Sequence, residues 1–263
     1  MKLFVDKVVV LGLEKNQEHI KKKFSKVFKQ NKVDYFITKG VGTRQNDGQV
    51  DASYWSILNH NATDEISKDI FKNHIEIIKR AYEDQSIKNI LILEDDAEFK
   101  NWDQKRWENV ETFLKLYQEE WDIFYLGYCN WPYLWSYFIR PSILRLSSPL
   151  TAHSYILNRK GMYKILKTIE KNPQCRNMHI DKLYTKIPRF KKLGLFPMVC
   201  FQEKCPGLYL KACDMMGVRV LFSTYSICNQ WISILIPIFI FFLFFYCILY
   251  NHVLKKMIKK KVI

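Results

Sequence analysis

The chain is predicted to fold as an α/β protein with a mostly parallel sheet, because short apolar runs alternate with segments of helical periodicity. Hydrophobic residues make up 48% of the 263 residues, and glycine and proline number only 9 and 8. That composition excludes a disordered or collagen-like protein. The length allows one large domain, or two small ones, with enough chain to bury a core.

The strands and helices are predicted from the spacing of the apolar side chains. Compact apolar runs predict strands at residues 8–11, 33–38, 87–93, 122–127, 154–157 and 195–201. Apolar residues spaced three and four apart predict helices at residues 20–28, 64–81, 107–117 and 161–171. This order of elements is typical of a sheet covered by helices.

One predicted strand runs directly into three consecutive carboxylates, Glu94, Asp95 and Asp96. Parallel sheets bind ligands beyond the carboxyl ends of their strands. Three like charges are costly to hold together unless a cation neutralises them, and oxygen ligands suit Mg²⁺ or Mn²⁺ together with a substrate phosphate. The segment therefore predicts a metal site, with a solvated acidic turn as the alternative. Phosphatases and phosphotransferases present the same arrangement, so the segment alone does not name the reaction.

Five segments in order extend this pattern: LILEDDA at 91–97, WDIFYLG at 121–127, HSYILNRKG at 153–161, HIDKL at 179–183 and FPMVCFQ at 196–202. Together they resemble glycosyltransferase family 25, which includes bacterial lipooligosaccharide galactosyltransferases and the collagen galactosyltransferases. The resemblance covers roughly residues 5–205.

The chain departs from the family pattern in two places. Residues 10–15 read VLGLEK where the family has Ile-Asn-Leu followed by arginines. The family's Gly-Cys-x-x-Ser-His element is reduced to Lys72, Asn73 and His74. Because His74 falls on the apolar stripe of its helix, it is predicted to be a core histidine.

The resemblance implies a GT-A-type nucleotide-diphospho-sugar transferase fold and an inverting transfer of a hexose, commonly galactose or glucose. The donor would be a UDP-sugar, and the acceptor a hydroxyl of a glycan, glycolipid or glycoprotein. Mn²⁺ or Mg²⁺ held by Glu94, Asp95 and Asp96 would neutralise the charge that develops on the departing nucleoside diphosphate.

Three more residues are candidates for the site that the resemblance implies. Asp181 is the candidate general base or acceptor binder; its alternative is an exposed carboxylate paired with Lys182 or Arg189. His153 is a candidate for the lining of the donor pocket. Arg159 is a candidate phosphate contact, with a surface arginine at a helix start as the alternative.

Residues 131–135, Trp-Pro-Tyr-Leu-Trp, are richer in aromatic side chains than a solvated loop. Aromatic faces stack well on sugars, so an acceptor platform is one interpretation. Contact with a membrane interface and ordinary core packing are the others.

The carboxyl-terminal part of the chain predicts a membrane anchor. Residues 231–250 contain no charge and are long enough to cross a bilayer as a helix. The predicted organisation is a glycosyltransferase domain at 1–228, a transmembrane helix at 229–250 and a polybasic tail at 251–263 that contacts anionic lipid headgroups. The apolar amino-terminal run is a poor signal peptide and predicts a cytosolic domain, whereas the lysines after the span favour the opposite topology. The sequon at Asn61 matters only for a lumenal domain.

A formal charge of +15 invites a nucleic-acid interpretation. No basic motif with interleaved aromatic residues supports it, so no nucleic-acid partner is predicted. The lysines concentrate in the tail and in residues 1–40, which favours a membrane-facing surface. An inactive membrane-anchored scaffold and a basic lipid- or nucleic-acid-binding protein are the alternative functions. The seven cysteines include no CxxC pair; Cys200, Cys205, Cys213 and Cys228 are either paired or free buried thiols.

Overall fold

The computed structural model describes residues 3–28, 31–38, 65–100, 102–130 and 136–202. The predicted membrane span at 231–250, the polybasic tail, the aromatic segment at 131–135 and the sequon at Asn61 lie outside these ranges. Within the described ranges, no helix is both long and apolar enough to cross a membrane.

Twelve strands are present in the described residues. In chain order they are β1 (Lys7–Leu13), β2 (Val33–Thr38), β3 (Asn89–Glu94), β4 (Ala97–Phe99), β5 (Ile123–Tyr125), β6 (Cys129–Asn130), β7 (Tyr137–Arg140), β8 (Ile143–Arg145), β9 (Pro149–Leu150), β10 (Ser154–Asn158), β11 (Lys192–Leu195) and β12 (Cys200–Gln202).

Eight of these strands form one sheet in the order β2-β1-β3-β10-β5-β11-β8-β7. β1 pairs in parallel with β2 and β3, and β5 pairs in parallel with β11. β10 lies antiparallel between β3 and β5, and β8 is antiparallel to both β11 and β7. Six of the eight strands therefore point in one direction, which agrees with the predicted mostly parallel sheet. Two small ladders, β4 with β12 and β6 with β9, lie outside it.

Five α-helices are described: α1 (Gln17–Val27), α2 (Glu65–Glu83), α3 (Gln104–Leu116), α4 (Arg159–Lys171) and α5 (Ile180–Lys186). Alternate residues of the strands belong to two separate cores. One core joins Val9, Ile92 and Tyr155 to side chains of α2, α4 and α5. The other joins Val10 and Leu91 to side chains of α1 and α3. The chain is thus a three-layer α/β/α structure.

The sequence explains why these elements form where they do. β3 is buried on both faces, so its side chains form a continuous apolar run rather than an alternating one. Asp103 caps α3 by accepting from the Arg106 backbone N–H, and Asn158 caps α4 by accepting from that of Gly161. Gly161 is required because a Cβ at this position would overlap the Asp122 carbonyl.

The prediction of one strand at residues 195–201 is wrong. β11 ends at Leu195 and β12 begins at Cys200, with Pro197 between them. Proline has no backbone N–H to donate, so the ladder of β11 cannot continue through it. The chain instead leaves the main sheet, and Cys200 pairs with Phe99 of β4.

Candidate active site

Glu94, Asp95 and Asp96 are called the acidic end below. They lie at the edge of the sheet that is formed by the carboxyl-terminal ends of β1, β3 and β5. Glu94 is the last residue of β3 and is paired with Leu11 of β1. Its backbone N–H donates to the His153 carbonyl at 2.9 Å, just before β10 begins. Asp95 and Asp96 form the turn into β4. This is the edge at which open α/β sheets bind ligands.

The three carboxylates of the acidic end have different surroundings. Glu94 Oε1 lies 3.2 Å from His74 Nε2, and the Glu94 side chain is 21% exposed. Asp95 Oδ2 accepts from Asn16 Nδ2 at 3.2 Å, and the Asp95 carbonyl accepts from Lys23 Nζ at 3.0 Å. Asn16 directly precedes α1 and Lys23 lies on α1, whereas His74 lies on α2, so both helical layers contribute to this edge.

Two carboxyl groups of the acidic end, those of Glu94 and Asp96, have shifted pKa values. Burial, reinforced by the negative charges of Glu94 and Asp95, raises the pKa of Asp96 to about 7, while Lys23 acts in the opposite direction. Burial also acts to raise the pKa of Glu94, but the hydrogen bond and charge of His74 outweigh it, so the net pKa of Glu94 is lowered. The acidic end therefore combines a carboxyl group whose pKa is lowered, Glu94, with one whose pKa is raised, Asp96.

His74, predicted to be a core histidine, is fully buried, and both of its ring nitrogens are engaged. Its Nδ1 lies 2.7 Å from the Tyr155 hydroxyl, which in turn lies 2.8 Å from the Tyr184 hydroxyl. A chain of buried polar groups therefore runs from Glu94 through α2 and β10 to α5.

The structure places His153 beside Glu94, in a buried position with only 4% of its surface exposed. Its Nε2 lies 3.4 Å from the Cys200 carbonyl, and its Nδ1 has no hydrogen-bond partner among the described residues. Burial lowers the pKa of His153, although the charge of Glu94 opposes this shift. Gly127 is required next to it, since a Cβ there would overlap the Cys200 carbonyl.

Asp181 lies in the first turn of α5. It is joined to the same edge of the sheet by a hydrogen bond from Thr151, in the segment that precedes β10. Its Oδ2 accepts from the Thr151 backbone N–H at 3.1 Å, and its Oδ1 accepts from that of Lys182 at 2.7 Å. Thr151 has a φ of 79°, unusual for a β-branched residue. Such strain persists where the surroundings enforce it, and it often marks functional sites.

Arg159 is not brought together with the acidic end. Because β10 is antiparallel to β3, Asn158 pairs with Asn89, at the opposite end of β3 from Glu94. The Arg159 guanidinium donates to the carbonyls of Tyr82, Asp84 and Ile87 and to the side chain of Gln85. These bonds close the carboxyl end of α2, so the expected phosphate contact is corrected to a structural role.

The acidic end supplies carboxylate oxygens for a metal ion, but Glu94, Asp95 and Asp96 do not form the predicted cluster of three ligands. No group of three or more His, Cys, Asp or Glu side chains within the described ranges is arranged to hold a metal ion. Mg²⁺ and Mn²⁺ sites on phosphate substrates use only one or two protein carboxylates. Asp95 and Asp96 supply such oxygens, and burial together with the charges of Glu94 and Asp95 raises the pKa of Asp96 to about 7.

Several residues at this edge belong to no predicted site: Asn16, Lys23, Thr151, Tyr155 and Tyr184. Asn16 carried a signal, because it closely follows the first predicted strand and parallel strands end at one edge. The pairing of His74 with Tyr155 carried none, since 81 residues separate them in sequence.

The described part of the chain also contains a cavity of about 600 Å³ beside the edge strand β2. Its lining includes Lys7, Lys21, Phe36, Arg80 and Ile90. Ile90 lies four residues before Glu94 in β3, or about 13 Å along the strand. None of Glu94, Asp95 and Asp96 is among its lining residues.

No protein-family model matches the chain, and no curated protein matches its sequence.

Several solved structures share part of the chain path. A glycosyltransferase involved in glycosylation of the major capsid of PBCV-1 is 11% identical with a TM-score of 0.38, over 73% of this chain and 83% of that one. The galactosyltransferase LgtC, solved with donor and acceptor sugar analogues, is 8% identical with a TM-score of 0.33, over 67% and 68%. An apo UDP-glucose pyrophosphorylase is 8% identical with a TM-score of 0.40, over 82% of both chains.

Proposed function

We propose that this protein is a metal-dependent glycosyltransferase that moves a hexose from a nucleoside-diphosphate donor to a hydroxyl of a glycan, glycolipid or glycoprotein. One observation carries the proposal: a buried strand ends in three consecutive carboxylates at the ligand-binding edge of an α/β sheet, where burial and the charges of Glu94 and Asp95 raise the pKa of Asp96. A cation bound with a diphosphate would offset this concentration of negative charge.

In the proposed reaction Asp95 and Asp96 would hold Mn²⁺ or Mg²⁺, and the ion would stabilise the charge on the departing nucleoside diphosphate. Asp181 accepts the proton of the acceptor hydroxyl, its carboxylate being oriented by the backbone N–H groups of Thr151 and Lys182. The acceptor oxygen bonds to the anomeric carbon as the bond from that carbon to the diphosphate breaks. His153, buried beside Glu94, forms the floor of the donor site.

The finer assignments come from the motif resemblance. It supports membership in glycosyltransferase family 25, an inverting mechanism and a UDP-linked galactose or glucose donor. We also propose that residues 231–250 anchor the protein in a membrane as a single span, with the basic tail on anionic headgroups. Protease protection of the amino-terminal domain in sealed vesicles would identify the side on which it lies.

The proposal is tested by screening nucleotide sugars for hydrolysis and transfer by the full-length chain, with and without Mn²⁺. We expect Mn²⁺-dependent turnover of at least one donor. Asp96→Asn should reduce kcat/KM by at least about 100-fold, because a metal clamp contributes several kcal/mol to the transition state.

Glu98→Gln is the matched control for Asp96→Asn. Glu98 lies two residues further on, and its carboxylate pairs with Lys100 at 2.9 Å on the surface. This variant should stay within about twofold of the wild type, as expected for an exposed ion pair. Absence of turnover with every donor would favour the inactive scaffold, and Mn²⁺-independent turnover by Asp96→Asn would refute the metal role.

A further inference from the structure

Exposed large apolar side chains are few in the described part of the chain, and most of them lie in two short segments. They are Ile70, Leu116, Tyr117, Tyr137, Phe138 and Tyr163. Four of the six form two adjacent pairs, one at the end of α3 and one in β7, the last strand of the sheet. Leu116 is 72% exposed and Tyr137 is 58% exposed. Apolar side chains that are exposed together, unlike scattered ones, mark binding surfaces.

Arg140 links the two pairs into one surface. The pairing of β7 with β8 is irregular between Phe138 and Arg140, which indicates a bulge. A bulge redirects the side chains beside it. The Arg140 guanidinium lies over the Tyr117 ring, with its carbon atom 6.0 Å from the ring centre. The surface formed by both pairs and this arginine is called the β7 patch below: Leu116, Tyr117, Tyr137, Phe138 and Arg140.

Two aromatic contacts fix the β7 patch to the core. The Phe138 ring meets the Phe196 ring edge-on, with centroids 5.0 Å apart, and Phe196 is buried. The Tyr117 ring stacks on Phe113, also with centroids 5.0 Å apart, and Phe113 packs against the core on the α1 and α3 side of the sheet. The exposed rings are therefore held at the surface, so a partner that binds them loses little free energy in ordering them.

The β7 patch lies at the edge of the sheet opposite the acidic end. Leu116 ends α3 shortly before β5 begins. Tyr137 pairs with Arg145 of β8, and Arg145 Nη2 lies 3.7 Å from Glu120 Oε2, just before β5. Both pairs of the β7 patch are thus close to the amino-terminal end of β5, whereas the acidic end lies at the carboxyl-terminal ends. A partner on the β7 patch would not cover the acidic end.

The composition of the β7 patch matches a lipid headgroup region. Tyrosine rings concentrate where headgroups meet hydrocarbon. The exposed guanidinium of Arg140 can donate two hydrogen bonds to a lipid phosphate. Nearby Lys115 and Arg145 are paired with Glu111 and Glu120, so they add little net charge. The whole chain carries +15, which attracts it to a negatively charged surface. An anionic bilayer therefore fits both the β7 patch and the net charge of the chain.

The chain itself would hold the β7 patch close to a bilayer. Residues 231–250 carry no charge and are followed by five lysines, the sequence of the proposed membrane anchor. Residues 203–230 connect this segment to β12, and these 28 residues reach at most about 100 Å. That reach exceeds the roughly 40 Å width of a domain of about 200 residues, so the connection allows this face to meet the membrane. Docking is then intramolecular and needs only weak contacts.

We propose that the β7 patch docks the domain on the headgroups of an anionic bilayer, with Arg140 on a lipid phosphate and the exposed rings in the interface. The inference rests on the proposed membrane anchor and adds the face of the domain that meets the membrane. A second copy of the chain and another segment of the same chain are the rival occupants of this surface.

The first test introduces a photo-crosslinking side chain into the β7 patch by Tyr137→p-benzoylphenylalanine in the full-length chain. The protein is reconstituted in nanodiscs of phosphatidylcholine, with or without phosphatidylglycerol, then irradiated and analysed by mass spectrometry. We expect lipid adducts in both cases. Their yield should be about fivefold higher with phosphatidylglycerol, because one basic side chain near an anionic surface contributes about that factor.

Tyr163→p-benzoylphenylalanine is the matched control for the crosslinks. Tyr163 is 43% exposed and has Lys167 Nζ 5.0 Å from its ring centre, but it lies on α4, on the opposite side of the sheet from α3. Its yield of lipid adducts should be at most about a fifth of the yield at position 137. Equal yields at the two positions would overturn the proposal. So would crosslinks from position 137 to a second copy or to another segment of the chain in place of lipid.

The second test removes the charge of the β7 patch. Arg140→Gln, combined with the crosslinker at position 137, should lower the lipid adducts about fivefold with phosphatidylglycerol and leave them unchanged without it. Lys171→Gln removes an exposed charge of the same sign from α4 and should have little effect. Equal losses in the two variants would show a general attraction by net charge and would contradict docking through the β7 patch.

Neither readout needs turnover, so docking and the proposed activity can fail separately. A chain that does not assemble into nanodiscs would refute the membrane anchor and the docking together. A chain that assembles but crosslinks to lipid equally at positions 137 and 163 would refute the role of the β7 patch alone. Lipid adducts confined to position 137, without turnover of any donor, would support docking and count against the proposed transfer.

Discussion

At the amino-terminal end of β5, Asp122 is fully buried, and its Oδ2 accepts from Lys164 Nζ and from the Lys191 backbone N–H, each at 2.7 Å. At the acidic end, at the opposite edge of the same sheet, three consecutive carboxylates crowd together, and burial raises the pKa of Asp96 to about 7 with Glu94 and Asp95 adding to the effect. At the first edge, which contains Asp122, the buried carboxylate is paired with a lysine of the same chain. At the second edge, the acidic end, several negative charges lie close together.

Polar side chains near Asp122 bind the surrounding backbone. Arg159 makes four hydrogen bonds to the turn after α2, and Asn158 both caps α4 and donates to the Trp121 carbonyl at 2.6 Å. Buried polar atoms without hydrogen-bond partners among the described residues occur at both edges: on Asn89 and Asp122 at the first, and on Tyr125, Thr151 and His153 near the acidic end. The difference between the two edges therefore lies in how their charges are paired.

The largest expected effect on stability is at the first edge. Asp122→Asn removes the buried counter-charge of Lys164, and Lys160 Nζ also lies 3.8 Å from Asp122 Oδ1. Breaking one side of a buried charge network should lower the free energy of unfolding by about 3 kcal/mol, measured by urea denaturation. Glu83→Gln, which affects an exposed pair with Lys79, should change it by less than about 0.5 kcal/mol. Equal effects of the two substitutions would abolish the contrast between the edges.

A smaller effect of the opposite sign is expected near the acidic end. Tyr125→Phe removes a buried hydroxyl that makes no hydrogen bond with the described residues, so the free energy of unfolding should stay constant or rise by up to about 1 kcal/mol. Tyr184→Phe, whose hydroxyl bonds to Tyr155, should instead lose about 1 kcal/mol. A clear destabilisation by Tyr125→Phe would mean that this hydroxyl already has a structural partner.

Apolar periodicity was sufficient to predict the main elements of the fold. β2 has the predicted bounds, and the helices α1, α2, α3 and α4 lie where apolar spacing placed them, because each buries one continuous face. The two-residue strands β6 and β9 and the seven-residue helix α5 are too short to show a period. The antiparallel direction of β10 also left no local signal, since it depends on pairing with β3 and β5.

The same distinction applies to the candidate site. Glu94, Asp95 and Asp96 could be located because a strand and its end are adjacent in sequence. The position of Arg159 could not be predicted, since it depends on the direction of β10, which carries its guanidinium to the end of α2. Contacts between distant segments, such as His74 with Tyr155, require the tertiary fold.

The most direct test of the central claim is calorimetric titration of Mn²⁺ into the full-length protein, with and without UDP. If the acidic end holds a metal ion shared with a nucleoside diphosphate, the wild type and Glu98→Gln should bind Mn²⁺ more tightly when UDP is present. Asp96→Asn should lose this binding. Equal Mn²⁺ binding by Asp96→Asn and the wild type, or no Mn²⁺ binding by the wild type in the presence of UDP, would contradict the account.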